Sequence, residues 1–311
     1  MKFAVTGAAG FVGYNLVKTL LRGGHSVACI DALIDTTYSA ETKKIRWQEL
    51  QGLDGTEMFH VDLRFDDLYL PLLDRDILIH AAAIPGLSLS WENFELYASC
   101  NLTATQKLVR AVIETNPKMK FIHISTSSVY GSTAISDENS TLNPVSPYGV
   151  TKLAAEKILQ AYSANYELNF AILRYFSIYG PGQRPDMAYS KFIESIDQGR
   201  AISVFGDGLQ TRTNTFISDC VDATINLSLK EPMNEIYNLS GTSKINVLEV
   251  IEILEGLLQK KAVIEFKPPR PGDQIATYGN IQRITDYVGY QPKVNIIQGL
   301  KLQVESYLND K

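Results

Sequence analysis

Lys2-Phe3-Ala4-Val5-Thr6-Gly7-Ala8-Ala9-Gly10-Phe11-Val12-Gly13 decides how this chain folds. A short apolar run ends on Gly7, and Gly10 and Gly13 follow before apolar residues begin to recur at helical spacing. The pattern predicts a strand over Lys2 to Thr6, a tight turn, and a helix over Gly13 to Leu21. A side chain in the turn would keep the backbone away from a pyrophosphate, and one on the first helical turn would hold the helix off its sheet. Phe11 and Val12 belong to the same anion-facing helix start. Glycines at this spacing also occur in purely structural turns, so a second signal matters. Asp31 closes the next strand, where its carboxylate can accept hydrogen bonds from an adenosine ribose. Its charge would repel the extra phosphate of NADP, and no arginine follows within several residues to attract it. The two features together point to NAD.

The same reading extends outward. Ser26 to Asp31, Glu57 to Val61, Ile77 to His80, Lys120 to Ser125 and Phe170 to Arg174 are further strand candidates, and Ala98 to Asn116 and Tyr148 to Asn165 show helical spacing. Short apolar runs alternating with helices predict an α/β fold, a Rossmann-type doubly wound parallel sheet. After Arg174 the pattern loosens, with helical stretches at Lys191 to Gln198, Asp219 to Ser228, Val247 to Leu258 and Ile297 to Leu308, and a possible strand at Ile236 to Leu239. Residues 1–175 are expected to form the NAD-binding domain with the catalytic residues. Residues 176–311 are expected to form a smaller mixed α/β substrate domain, interleaved in space with the first.

Composition narrows the function. The chain has 311 residues, 45% of them apolar, enough for a substantial core. Cys29, Cys100 and Cys220 are far apart and odd in number, which argues against a disulfide framework. Four histidines in no ligand pattern argue against a protein-bound metal. A net charge of -5 without a basic block argues against nucleic acid. There is no leader pattern and no uncharged apolar run of about 18 residues, so a cytoplasmic protein without a membrane span is expected.

Other residues carry possible chemistry. Asp62, after the third strand, is either an adenine contact or a cap for the next turn. Ala81-Ala82-Ala83 offers a small-residue surface for close backbone approach, and Asn101 is either a structural amide or a ligand contact. Tyr148 and Lys152, four apart, share one helix face. A tyrosine near its free pKa of about 10 is a poor base at neutral pH unless a cation favours its ionised form, and Lys152 can supply that charge. Such a pair also occurs on ordinary surfaces, but Thr126, Ser127 and Ser128 end a strand at the carboxyl edge of the sheet, where ligands bind.

With these residues in order, the chain resembles the extended short-chain dehydrogenase/reductases of the sugar-nucleotide epimerase and dehydratase group. The resemblance rests on the glycine turn, Asp31, Asp62, Thr126-Ser127-Ser128-Val129-Tyr130-Gly131, Tyr148 to Lys152 and Arg174-Tyr175-Phe176. It implies Thr126 as a hydroxyl partner, Tyr148 as the acid/base and Lys152 as its helper. It adds Leu63 and Tyr175 to the cofactor site, and Pro85, Arg212, Arg270 and Asp273 to a nucleotide-sugar site. A homodimer through the helices Ala98 to Asn116 and Tyr148 to Asn165 is also implied.

Related dehydratases place Asp-Glu after the threonine and decarboxylases Thr-Ser-Glu, whereas this chain has Ser127-Ser128, which favours epimerisation. The stretch around Arg184, Gly182-Gln183-Arg184-Pro185-Asp186-Met187-Ala188, is similar to that of UDP-glucuronate 4-epimerases. There Arg184 and Ser177 would hold the sugar carboxylate. The resemblance thus implies NAD-dependent 4-epimerisation of UDP-glucuronate, with neutral UDP-glucose or UDP-N-acetylglucosamine as the alternative substrate.

Overall fold

The computed structural model describes residues 1–231 and 234–311. Among them, seven strands form one sheet in the order Glu235–Leu239, Phe170–Tyr175, Lys120–Thr126, Ile77–His80, Lys2–Thr6, Ser26–Asp31 and Thr56–His60. Every pairing in this sheet is parallel. Ile77–His80 and Phe170–Tyr175 are buried at each position. Helices cover both faces, so these strands read as continuous apolar runs instead of alternating. From Lys2–Thr6 the chain steps to one edge, then crosses over to Ile77–His80 and steps to the other. The reversal opens a crevice at the carboxyl ends of those two strands.

On one face, helix Phe11–Arg22 turns Leu16, Val17 and Leu20 inward and packs on helix Ile217–Ser228. On the other, Ala104–Thr115 inserts Leu108, Val109 and Val112 and packs on Pro147–Tyr166. Burying each such side chain contributes about 1.5–3 kcal/mol relative to exposure. The continuous helix expected over Ala98 to Asn116 is interrupted, because Ala98–Thr103 is wound as a π-helix before α geometry resumes.

Helix Glu41–Gln51 has no counterpart in the apolar periodicity. Its buried residues are Lys43, Arg46 and Leu50, so two of its three inward positions carry charge. A search for apolar spacing passes over it.

The two halves of the chain exchange strands. Glu235–Leu239, from the second half, completes the large sheet beside Phe170–Tyr175. Thr133–Ser136, from the first half, joins a small sheet in the order Lys244–Asn246, Thr211–Thr213, Ala276–Gly279, Thr133–Ser136. Only the first of its pairings is antiparallel, which makes the smaller unit mixed. No helix among the described residues is long and apolar enough to cross a membrane.

Candidate active site

A cleft of about 1350 Å³ runs along the carboxyl edge of the large sheet into the smaller unit. Every cofactor and substrate candidate from the sequence lines it except Asn101. Asn101 is buried, its Oδ1 accepting from Ile84 N–H at 2.7 Å and its Nδ2 donating to Ile84 O at 3.0 Å. Of its two readings the structural one describes it: the amide fastens the loop after Ile77–His80 to the helix behind.

The glycine turn fits a dinucleotide. A Cβ on Gly7 would lie 2.8 Å from Ala82 N, and one on Gly13 would lie 2.0 Å from Gly7 O. Turn, helix and the Ala81–Ala83 strip thus approach closely because side chains are missing. Helix Phe11–Arg22 starts at Gly10 with no side-chain cap and no acid in its first turn, leaving its N–H groups available to a phosphate. Asp31 accepts from Ala9 N–H at 3.0 Å and from Leu33 N–H at 2.9 Å, which orients its carboxylate at the cleft wall. Asp62 is paired with Arg64, at 3.0 Å from Nε and 2.6 Å from Nη2, and this guanidinium holds its carboxyl below the usual range. Lys43 also lines the cleft near Asp31, its Nζ donating to Ile34 O at 2.8 Å. No local motif announces that cation, since it arrives from the unanticipated helix.

At the other end, Ser146 Oγ accepts from Gly149 N–H at 3.1 Å and Pro147 opens the helix, fixing the start of the segment that carries Tyr148 and Lys152. Gly149 lets that helix approach the Thr126–Ser128 turn: a Cβ there would be 2.7 Å from Ser128 O. Thr126 Oγ1 accepts from Ser128 N–H at 3.1 Å and hydrogen-bonds with Tyr148. Burial raises the Tyr148 pKa, opposed by Thr126 and by the Arg184 cation.

Lys152, expected from its spacing to supply the charge acting on Tyr148, places its amine against the strand behind. Its Nζ donates to Ile124 O at 2.6 Å and lies 3.3 Å from His123 Nε2. Burial lowers its pKa to about 8, with Glu156 opposing.

Across the cleft, Arg184 forms a two-pronged pair with Asp186, Nε and Nη2 each 2.9 Å from a carboxylate oxygen. Ser177 holds a backbone φ of +22°, an uncommon conformation that a β-branched residue would adopt at greater cost. Arg212 donates to Thr211 O at 2.9 Å and Gln274 O at 2.5 Å. Arg270 donates to Asp273 at 3.0 Å and stacks 4.1 Å over the Phe205 ring. Tyr97 donates to Pro85 O at 2.7 Å and sets its ring edge-on to Tyr148. Gln274 and Phe205 are parts of this wall that no motif spacing singles out, and Tyr97 supports Tyr148 from behind it.

A parallel dinucleotide sheet whose carboxyl edge joins a threonine, a tyrosine and a lysine to a wall of arginines defines an NAD-dependent enzyme for an anionic substrate. The comparisons agree. Residues 3–240 match the profile of the NAD dependent epimerase/dehydratase family. A Bacillus subtilis protein described as an uncharacterized UDP-glucose epimerase is 37% identical, over 99% of this chain and 98% of that one. A UDP-glucuronate 4-epimerase of Thermodesulfobacterium geofontis is 34% identical, over 97% of this chain and 94% of that one. The crystal structure of the Bacillus cereus UDP-glucuronic acid 4-epimerase with UDP-glucuronic acid and NAD superposes with a TM-score of 0.95 at 37% identity, covering 100% of both chains. The chain belongs to the NAD dependent epimerase/dehydratase family, and NAD is its cofactor. At the level of family and fold its activity is NAD-dependent epimerisation of a UDP-sugar.

Proposed function

We propose that this enzyme interconverts UDP-glucuronate and UDP-galacturonate by inverting C4. The observation that carries the reading is Arg184, a guanidinium in the same cleft as Thr126 and Tyr148 and near enough to act on the Tyr148 phenol. Tyr148 takes the proton of the C4 hydroxyl, with Thr126 sharing the hydrogen bond to that oxygen. NAD supplies the acceptor for the C4 hydride and gives it back in the second half of the cycle. After the keto sugar turns its other face to Tyr148, the same phenol returns the proton and the inverted alcohol is complete. Lys152 binds the nicotinamide ribose, while Arg212 and Arg270, with Asp273, hold the sugar diphosphate. Arg184 and the Ser177 hydroxyl hold the C5 carboxylate, which also restrains the β-keto acid from losing carbon dioxide.

Ser127 and Ser128 occupy the places where an eliminating enzyme needs acids, and Asp186 is tied to Arg184 by both oxygens. That leaves elimination and decarboxylation without a free carboxyl group among these residues. The Arg184–Asp186 pair also favours a second reading, 4-epimerisation of neutral UDP-glucose, in which the arginine is already satisfied. Incubation of the purified protein with UDP-glucuronate and with UDP-glucose, followed by chromatography, separates the two. UDP-galacturonate is the expected product, and its absence would refute the first reading. Arg184→Ala should reduce kcat/KM for the uronate at least about tenfold more than for glucose; equal losses would remove the carboxylate role. The proposal includes a homodimer through Ala104–Thr115 and Pro147–Tyr166, to be read by light scattering.

A further inference from the structure

His123 lies in the middle of strand Lys120–Thr126, wholly buried, and none of the roles above uses it. Its Nε2 is 3.3 Å from Lys152 Nζ, and its Nδ1 is buried without a hydrogen-bond partner. The adjacent buried ring, His80, has both nitrogens on hydroxyls, Thr6 at 2.7 Å and Thr105 at 3.0 Å. The contrast is informative because a buried orphan nitrogen costs stability and calls for a reason.

Neutral imidazole carries one ring proton. When Lys152 is an ammonium it donates to Nε2, and the ring proton sits on Nδ1. When Lys152 is an amine, Nε2–H can donate to Nζ instead. The tautomer of His123 is therefore tied to the protonation state of Lys152.

We propose that His123 is a positioning residue for Lys152, accepting a hydrogen bond from its ammonium and, with the Ile124 carbonyl, setting where the amine sits and the pH at which it loses its proton.

Other titratable groups around the amine have been assigned elsewhere. On the lysine's own helix, Glu156 raises its pKa and is itself paired with Arg174. Tyr148 is engaged with Thr126 and Arg184. His80 faces it from the next strand, and the segments Phe94–Tyr97 and Ala98–Thr103, which carry Tyr97 and Cys100, pack against the lysine's helix. His123 is held neutral, its pKa pushed well below the usual value by burial first and then by Lys152 and His80. The group that titrates is consequently the lysine. The inference rests on the proposed role of Lys152 and is indifferent to which UDP-sugar is turned over.

The test compares wild type with His123→Phe, which keeps a ring but removes both nitrogens, and with His123→Gln, which keeps an acceptor. The pH profile of kcat/KM and the melting temperature are measured from about pH 6 to about pH 10, on either side of the lysine's titration. His123→Phe should move the alkaline limb to lower pH by about half a unit, roughly a threefold loss on that limb relative to the plateau. His123→Gln should restore it. Melting should be unchanged or higher in His123→Phe, since the orphan nitrogen is gone. The melting difference between wild type and His123→Phe should vary with pH when Lys152 is present and be flat in a Lys152→Met background. A limb that superimposes on wild type, or a melting difference unaffected by Lys152→Met, overturns the proposal. The melting arm needs no substrate, so it decides the matter even if neither UDP-glucuronate nor UDP-glucose is turned over.

Discussion

Tyr148 is asked to accept a proton while burial holds its phenol above the usual range. Thr126 and the Arg184 guanidinium oppose that rise. In Tyr148→Phe the exchangeable proton disappears, yet the edge-on contact with Tyr97 and the helix start at Ser146 remain. We expect turnover to fall by about 10²–10⁴, the range for a positioned acid/base, with bound NAD retained. Steady-state rates and the nicotinamide absorbance of the purified variant check both halves; near-normal turnover would reject Tyr148 as the acid/base. The residue pattern Tyr148 to Lys152, with Thr126 as partner, was legible in the sequence, whereas the contacts with Arg184, Ile124 and His123 were not. Arg184 lies beyond that helix in a loop, and Ile124 and His123 are on strand Lys120–Thr126.

Between elements, the ion pair of Arg174 and Glu156 ties strand Phe170–Tyr175 to helix Pro147–Tyr166, with both side chains 1% exposed. Arg174 Nη2 lies 2.7 Å from one Glu156 oxygen, Ser125 Oγ donates to the other at 2.5 Å, and Arg174 Nη1 reaches Tyr130 at 2.9 Å. Glu156 is one turn beyond Lys152, so the pair fixes the helix that carries Tyr148 and Lys152. Glu156→Gln leaves the guanidinium buried without its counter-charge, and denaturant unfolding should show a loss of about 3–5 kcal/mol. Replacing both residues, Arg174→Met with Glu156→Leu, should recover most of it. A single replacement without measurable loss would show that water reaches the pair. Apolar periodicity located both elements but says nothing of a buried charge pair. The same limit hid helix Glu41–Gln51, whose inward face is largely cationic.

Across the whole molecule, that helix spans the two halves. Arg46 Nη2 donates to Gly182 O at 2.5 Å, bridging the cofactor side of the cleft to the turn just before Arg184. The contact ties the helix that carries Lys43 to the turn before Arg184, and an enzyme that oxidises and reduces one sugar in a single turnover benefits from holding its NAD. Arg46→Met should therefore lose most of its NAD on gel filtration while wild type keeps it. Added NAD should restore activity to within about threefold, since no reacting group is touched. Equal retention by both proteins, measured by absorbance of the released nicotinamide, would exclude the bridge as a retention device.

The sequence by itself determined the parallel sheet, the glycine turn with Asp31, and the placing of Thr126, Tyr148 and Lys152 at one edge. The strands, the glycine turn and the Tyr148–Lys152 spacing depend on a few consecutive residues, and Thr126 was joined to that pair by the order of motifs in the resemblance. Tertiary structure alone decided that Glu235–Leu239 completes the sheet, that Asn101 fastens Ile84, that Lys43 stands near Asp31, and that Arg184 comes near the Tyr148 phenol. Those contacts join segments far apart in the chain, or rest on charges turned inward, and short-range periodicity carries no record of either.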